Sequence, residues 1–420
     1  MKKVTFVKDL INRFIKHPLF AGSFIMVVGS NLTNFIAYIY HLILGRMLGP
    51  AQYGVLVATI SLIGMFSITF GFLGLVIIKF VSASGAEQLD KILSWFNRKS
   101  LLLGAFLLLL SFIATPFLSG FLKISPAIIV LVAPIVFVSL LTYVYKSFLQ
   151  GLLKFKETVI ASNVEFLLRL LIGVSFVYLG FSVFGAIVGV LMAAVIGLFL
   201  SLYFLRGHKM FLKKVELPDR KRIIAYAFPI FLVSLANNSL ITTDLLLVKH
   251  FFDARSAGLY AAMSNLGKII FYGAVPVSAV MFPLISKRHS QGQRFKKIFV
   301  YSLLLTAAIA SGVLFIYWLF PDIVISILYG DKYLEVDKYL LPFGIVMTLF
   351  TISSLLVSYF LSKEQTLVAY FVLIAAILQI AGIWFYHGSI LSIIYVSLVV
   401  VSILLGFLLI YFAYESRTRK

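Results

Sequence analysis

SVFGAIVGVLMAAVIGLFLSLYFLRGHKMFLKKVELPDRKR, residues 182–222, carries both features that decide the fold. Residues 182–205 hold no charged side chain and are long enough to cross the roughly 30 Å hydrocarbon core of a bilayer as one helix. The rest, 206–222, is the longest polar connector in the chain and contains Arg206, Lys209, Lys213, Lys214, Arg220, Lys221 and Arg222. It is either a topology lock or a site for anionic lipid headgroups. In both readings it divides the chain into two halves of similar length.

Apolar runs repeat on either side of this connector, at about 20–44, 52–78, 101–120, 126–148, 157–179 and 182–205, then 224–248, 256–284, 297–320, 337–361, 366–386 and 389–412. They consume most of the 420 residues, which are 62% hydrophobic and only 12% charged, with a mean hydropathy of +1.07. A soluble domain averages about 25% charged residues, so no sizeable soluble domain fits here. The runs are continuous, without the alternation of a barrel strand, and in lipid the remaining way to satisfy the backbone is a helix. The expected fold is an all-α polytopic membrane protein of about 12 transmembrane helices.

Basic residues set the orientation. With the N-terminus cytoplasmic, 28 of the 36 Lys and Arg fall on the cytoplasmic side. Six fall outside (Arg46, Lys123, Lys249, Arg255, Lys332, Lys338), and Arg169 and Lys268 fall within spans. That asymmetry follows the positive-inside rule, with both termini cytoplasmic in a multi-pass protein of the cell membrane. The expected organisation is a cytoplasmic tail (1–19), a first six-helix bundle (20–205), the basic linker (206–223), a second six-helix bundle (224–412) and a short cytoplasmic tail (413–420). The tail lacks a small-residue cleavage site and reads as retained rather than as a signal peptide. The net charge of +21 is explained by these loops and implies no nucleic-acid partner. There is no cysteine, which excludes disulfides and thiolate chemistry, and neither a metal site nor a cofactor is expected.

An offset of 204 residues places Gly54 on Gly258, Ala58 on Ala262, Leu62 on Leu266, Ser30 on Ser234 and Asn34 on Asn238. Both copies open a half, and both have a short outer linker (GRMLGPAQYG, KHFFDARSAG) that feeds a Gly-led helix. Six spans per half give the halves the same direction, so the expected relation is a pseudo-two-fold axis along the membrane normal. Two such bundles enclosing a cavity form an architecture for alternating access.

Four stretches carry a family likeness: LGRMLGPAQYGVLVATISLIGMFS (44–67), FLQGLLKFKETVIASNVEFLLRLLIG (148–173), AYAFPIFLVSLANNSLITTDLLLVKHF (225–251) and AGLYAAMSNLGKI (257–269). They resemble polysaccharide flippases, the O-antigen type exporters of lipid-linked oligosaccharides in the multidrug/oligosaccharidyl-lipid/polysaccharide (MOP) superfamily. In span number and loop length the likeness runs from about 20 to 412. It implies outward flipping of a polyprenyl-pyrophosphate-linked glycan without ATP consumption, alongside other polysaccharide-assembly membrane proteins.

An ionisable residue inside a span is a functional candidate by default. Glu165 and Arg169, at i and i+4 on the fifth span, are either a self-neutralising pair or a cavity-lining site in which Arg169 meets the pyrophosphate and Glu165 tunes charge or exchanges a proton. Lys268, near the middle of the eighth span, has no acid one turn away and suits a pyrophosphate. Its alternatives are snorkelling or pairing with Asp244, itself a candidate H⁺ or Na⁺ site. Arg46 is either a headgroup contact on exit or a loop anchor, and snorkelling explains Lys79 and Lys146. Asn31, Asn34, Asn237, Asn238 and Thr242 form a polar stripe for sugar contact or interhelical hydrogen bonds. Pro229, Pro276 and Pro283 are candidate bend points.

A cation-coupled multidrug exporter of the same superfamily is the nearest rival, but the first span holds no acid. A membrane enzyme such as a glycan polymerase fits less well. The outer connector 321–336 is short and acidic, and no nucleophile–base set or paired carboxylates appear.

Overall fold

A computed structural model describes residues 18–82, 86–208, 220–363 and 365–418. The expected tail before residue 18, the middle of the basic connector (209–219) and residues 419–420 lie outside the described residues. So do the side chains of Lys79 and Pro229.

Every described element is helical. In chain order they are α1 (Pro18–Ser82), α2 (Ala86–Leu122), the short α3 (Pro126–Ile129), α4 (Val132–Gly151), α5 (Phe155–Phe176), a π-helical turn (Val177–Phe181) and α6 (Ser182–Phe204). Then follow α7 (Arg220–Phe251), α8 (Ala254–Ser290), α9 (Lys296–Leu319), α10 (Pro321–Leu328), a 3₁₀ segment (Asp331–Val336), α11 (Asp337–Leu361), α12 (Val368–Phe385) and α13 (Ile390–Thr418). Among the described residues, ten continuous helical stretches are long and apolar enough to cross a membrane, so the protein is a multi-pass membrane protein.

Two of the ten stretches, Val28–Ser67 and Phe155–Phe204, are interrupted by a glycine in the left-handed region. At 65 residues, α1 would measure about 98 Å if straight, roughly three times the hydrocarbon thickness. It breaks at Gly49 (φ 70°), where a side chain would be strained, and Pro50 follows without an N–H to give. Gly180 (φ 92°) does the same between α5 and α6. Other boundaries differ from the hydropathy reading. The stretch 79–100, expected as a loop, is helical from Ala86, so Lys91, Arg98 and Lys99 sit on a helical extension of α2. The outer connector 321–336 is occupied by α10 and the 3₁₀ segment. Hydropathy marks where a helix leaves oil, whereas these helices continue past that point because their backbone bonds cost nothing extra in water.

Large apolar side chains lie on the outside, among them Phe117 (70% exposed), Leu304 and Ile410, as expected for a surface solvated by lipid. By internal contacts the chain forms two compact units. One comprises residues 1–44, 69–119 and 125–224; the other comprises 45–68, 120–124 and 225–420. The halves expected from sequence therefore differ from the units at 45–68 and 120–124.

In the first unit, α5 and α6 approach through small residues: a Cβ on Gly189 would come within 2.8 Å of the Gly173 backbone nitrogen, and one on Gly173 within 2.9 Å of Tyr40. In the second unit, the two glycines matched by the 204-residue offset touch each other. A Cβ on Gly54 would lie 2.7 Å from the Gly258 nitrogen, and one on Gly258 would overlap the Pro50 carbonyl. Asp253 starts α8 by accepting the backbone N–H groups of Arg255 (2.9 Å) and Ser256 (3.0 Å), and these bonds, with the Ser256 hydroxyl, hold its carboxyl below the usual range. Replacing Gly258 by Ala is expected to destabilise the protein by about 1–3 kcal/mol through backbone overlap. Gly312→Ala, with open space around it, should be neutral or mildly stabilising. Thermal unfolding of both variants in detergent checks the contrast.

Candidate functional site

The intramembrane charges occupy two clusters, one in each unit. In the first, Glu165 on α5 does not pair with Arg169. Its Oε2 accepts from Lys146 Nζ of α4 at 2.6 Å, and both side chains are mostly buried. This corrects the self-neutralising i,i+4 pair and the snorkelling of Lys146. The carboxylate fits because α6 has Gly197 opposite, where a Cβ would come within 2.6 Å of Oε2. Arg169 instead places its guanidinium carbon 4.5 Å from the centre of the Tyr40 ring and 5.7 Å from that of Phe166. Its Nε is buried without a hydrogen-bond partner. Among the described residues no carboxylate lies within ion-pair distance of Arg169.

The second cluster joins α7 and α8. Asp244 is 2% exposed; its Oδ2 accepts from the Tyr260 hydroxyl at 2.6 Å and its Oδ1 from the Leu245 N–H at 2.8 Å. Lys268 and Asp244 act on each other electrostatically, yet no contact within 4 Å joins them. The carboxylate is thus held by neutral donors, and the ammonium remains near it without being bound to it. One turn before Asp244, the Leu240 carbonyl accepts from Gln379 Nε2 (3.3 Å), which also donates to Ser397 (3.0 Å). Gln379 is buried and its Oε1 has no partner.

Arg46 is engaged in its own unit. Its guanidinium donates to the carbonyls of Ser326 (3.1 Å), Ile327 and Leu328 (3.3 Å), capping the C-terminus of α10 where the helix dipole is negative. This geometry is that of the loop anchor. Around it the packing is locked by tyrosines: Tyr53 and Tyr329 share a hydrogen bond (3.2 Å), Tyr53 accepts from Asn265 (2.7 Å) and Tyr333 donates to the Gly45 carbonyl (2.8 Å).

The polar stripe divides. Asn31 and Asn34 are exposed on α1; beside them Thr33 donates to Asn163 Oδ1 (3.1 Å) and Asn163 donates to the Gly29 carbonyl (3.2 Å). Asn237 and Asn238 line a cavity in the second unit. Thr242 is buried and donates to Asn238 Oδ1 at 3.5 Å. Sequence reasoning missed Thr33, Asn163 and Gln379, and missed that Lys146 is the partner of Glu165. A charge near a span end and a neutral polar residue inside a span both have innocuous explanations until a partner helix is known. Pro276 and Pro283 lie within α8 as expected.

A family model described as polysaccharide biosynthesis protein matches residues 19–289, more than half of the chain. No curated protein sequence matches. Among solved structures, the fold is similar to the inward-facing conformation of a multidrug resistance MATE family transporter of the MOP superfamily (TM-score 0.77, 14% identity, 94% of this chain and 100% of that one). It is also similar to the lipid II flippase MurJ in an inward closed conformation (TM-score 0.75, 15% identity, 92% of this chain and 87% of that one). At these identities the likeness establishes the fold.

The Lys146–Glu165 pairing predicts a stability pattern. Lys146→Met should destabilise by about 3 kcal/mol, because it strands a buried carboxylate, and adding Glu165→Gln should restore most of the loss. Were Glu165 partnered by Arg169, Lys146→Met would leave unfolding in detergent unchanged.

Proposed function

The chain belongs to the polysaccharide biosynthesis protein family, and on that premise we propose that it flips a polyprenyl-pyrophosphate-linked oligosaccharide from the inner to the outer leaflet of the cell membrane by alternating access. In this reading the helices interrupted at Gly49 and Gly180 each count as two, giving twelve crossings in two halves with both termini cytoplasmic. Arg169 and Lys268 are the cations that offer the pyrophosphate its counter-charge. Asp244 holds the H⁺ or Na⁺ that drives the cycle, while Glu165 fixes Lys146 and leaves Arg169 available.

The observation that supports this best is that neither mid-membrane cation is in contact with a carboxylate. A cation in hydrocarbon must find an anion or water, and a phosphate-bearing headgroup is an anion that forms strong charge-assisted bonds to both Arg and Lys. Lipid-linked cargo also explains how a small cavity can serve a large glycan, since the polyprenyl tail stays in the bilayer. The MATE-type alternative, a cation-coupled drug exporter, draws on the buried acid Asp244. A cationic drug, however, would face Lys268 at the same place.

A Lys268→Ala/Arg169→Ala double variant is expected to insert and fold but to lose flipping by at least about 100-fold, the effect of removing two charge-assisted contacts of about 1.5–3 kcal/mol each. The measurement is appearance of a lipid-linked oligosaccharide at the outer face of proteoliposomes. Transport at the unmodified rate would remove the anion-site reading.

A further inference from the structure

The second unit contains a cavity of about 340 Å³ between α7, α8, α9 and α11 that has no charged residue in its wall. Its polar lining is made of amides and hydroxyls, notably Ser234, Asn238, Ser278, Thr306, Thr351 and Ser354. Two wall residues carry hydrogen-bonding groups that are buried without a partner just behind the surface: Asn238 Nδ2 and Thr306 Oγ1. Orphaned polar groups are expensive in a membrane interior, so a small shift of the wall that let a polar guest reach them would be favoured. Phe271 and Phe350 supply ring surface beside them. A wall of alternating donors, acceptors and rings, without a formal charge, fits a neutral polyhydroxylated ring.

Helix register ties this cavity to the charged cluster. On α7 the wall is formed by residues 234, 237, 238 and 241, and Asp244 is the next position on that stripe. On α8 it is formed by 271, 274, 275 and 278, and Lys268 is the preceding position. Because α7 and α8 run in opposite directions, both charges sit at the same end of the cavity, about one helical turn (roughly 5 Å) beyond its wall. That is the order of parts in a glycosylated pyrophosphate: an anion, then the sugar ring attached to it. We propose that the cavity is the subsite for the sugar directly linked to the pyrophosphate, and that it selects an uncharged hexose-class ring over a uronic acid. This rests on the flippase reading and adds to it the chemical class of the first sugar and the residues that read it. The volume equals that of about eleven liquid waters, so one ring enters together with a few bridging waters.

The test measures binding of the full-length protein in nanodiscs to three probes: polyprenyl pyrophosphate alone, the same lipid carrying one hexose, and the same lipid carrying one hexuronic acid. The hexosyl lipid is expected to bind at least about tenfold more tightly than the other two, in line with the selectivity of a site whose buried polar groups need a partner. Thr306→Val with Ser354→Ala, which removes hydroxyls without filling the space, should erase that advantage and leave the bare lipid's Kd unchanged. Ser278→Ala alone should reduce the advantage severalfold and serves if the double variant folds poorly. Equal binding of all three lipids to the unmodified protein, or an undiminished hexose advantage in the variants, overturns the subsite while leaving the flippase reading intact. If none of the lipids binds, the flippase reading itself fails and the subsite with it.

Discussion

Hydrocarbon provides no partner for a charge, and in the first unit this constraint governs a chain of packing decisions. Glu165 must find a cation, and Lys146 on α4, 19 residues away in sequence, supplies it. The pair can form only where α6 approaches without a side chain, which is the position of Gly197. The same close approach brings Gly189 onto Gly173, and Gly173 in turn leaves room for the Tyr40 ring. That ring is what Arg169 rests against. A guanidinium is weakly hydrated and tolerates an aromatic face where an ammonium would demand a counter-ion, so α5 can hold a cation at mid-membrane without neutralising it. The acid one helical turn before it, Glu165, pairs with a neighbouring helix instead.

The second unit meets the same constraint differently. Asp244 is satisfied by a phenol and a backbone N–H, both neutral, and Lys268 stays near without contact. A carboxylate held by neutral donors can exchange its ionic partner without losing its position, whereas one locked to a lysine cannot. The two acids are thus held in different ways, Asp244 by neutral donors and Glu165 by a lysine.

Most of the fold was legible because the bilayer writes it into composition: long apolar runs are visible without knowing any contact, and the turn at Gly49–Pro50 announces itself by residue type. Helix ends were less legible, as the extension of α2 back to Ala86 demonstrates, since charge marks the limit of oil rather than the limit of the helix. The site was half legible. Arg169, Lys268, Glu165 and Asp244 stand out as charges in apolar runs, but their partners do not. Local spacing favoured Glu165 with Arg169, yet Lys146 won because interhelical approach, not i,i+4 spacing, decides which charges meet. Arg46 stood between headgroup contact and loop anchor until α10, hidden in a stretch read as a loop, presented its carbonyls. The hydroxyl wall was invisible for another reason: Ser and Thr are ordinary residues in membrane helices, and only a cavity turns them into a recognition surface.

Gly54 and Gly258 open helices whose backbones come together within the second unit. The 204-residue offset was fixed from sequence, without reference to any contact, and the two glycines it equates lie against each other at van der Waals limits, with Pro50 packed on Gly258. The packing also accounts for why both linkers end in glycine. A Cβ on Gly54 would meet the Gly258 backbone and one on Gly258 the Pro50 carbonyl, so a side chain on either would force the helices apart. The stretches GRMLGPAQYG and KHFFDARSAG differ in almost every residue except the one whose absence of a Cβ that geometry demands.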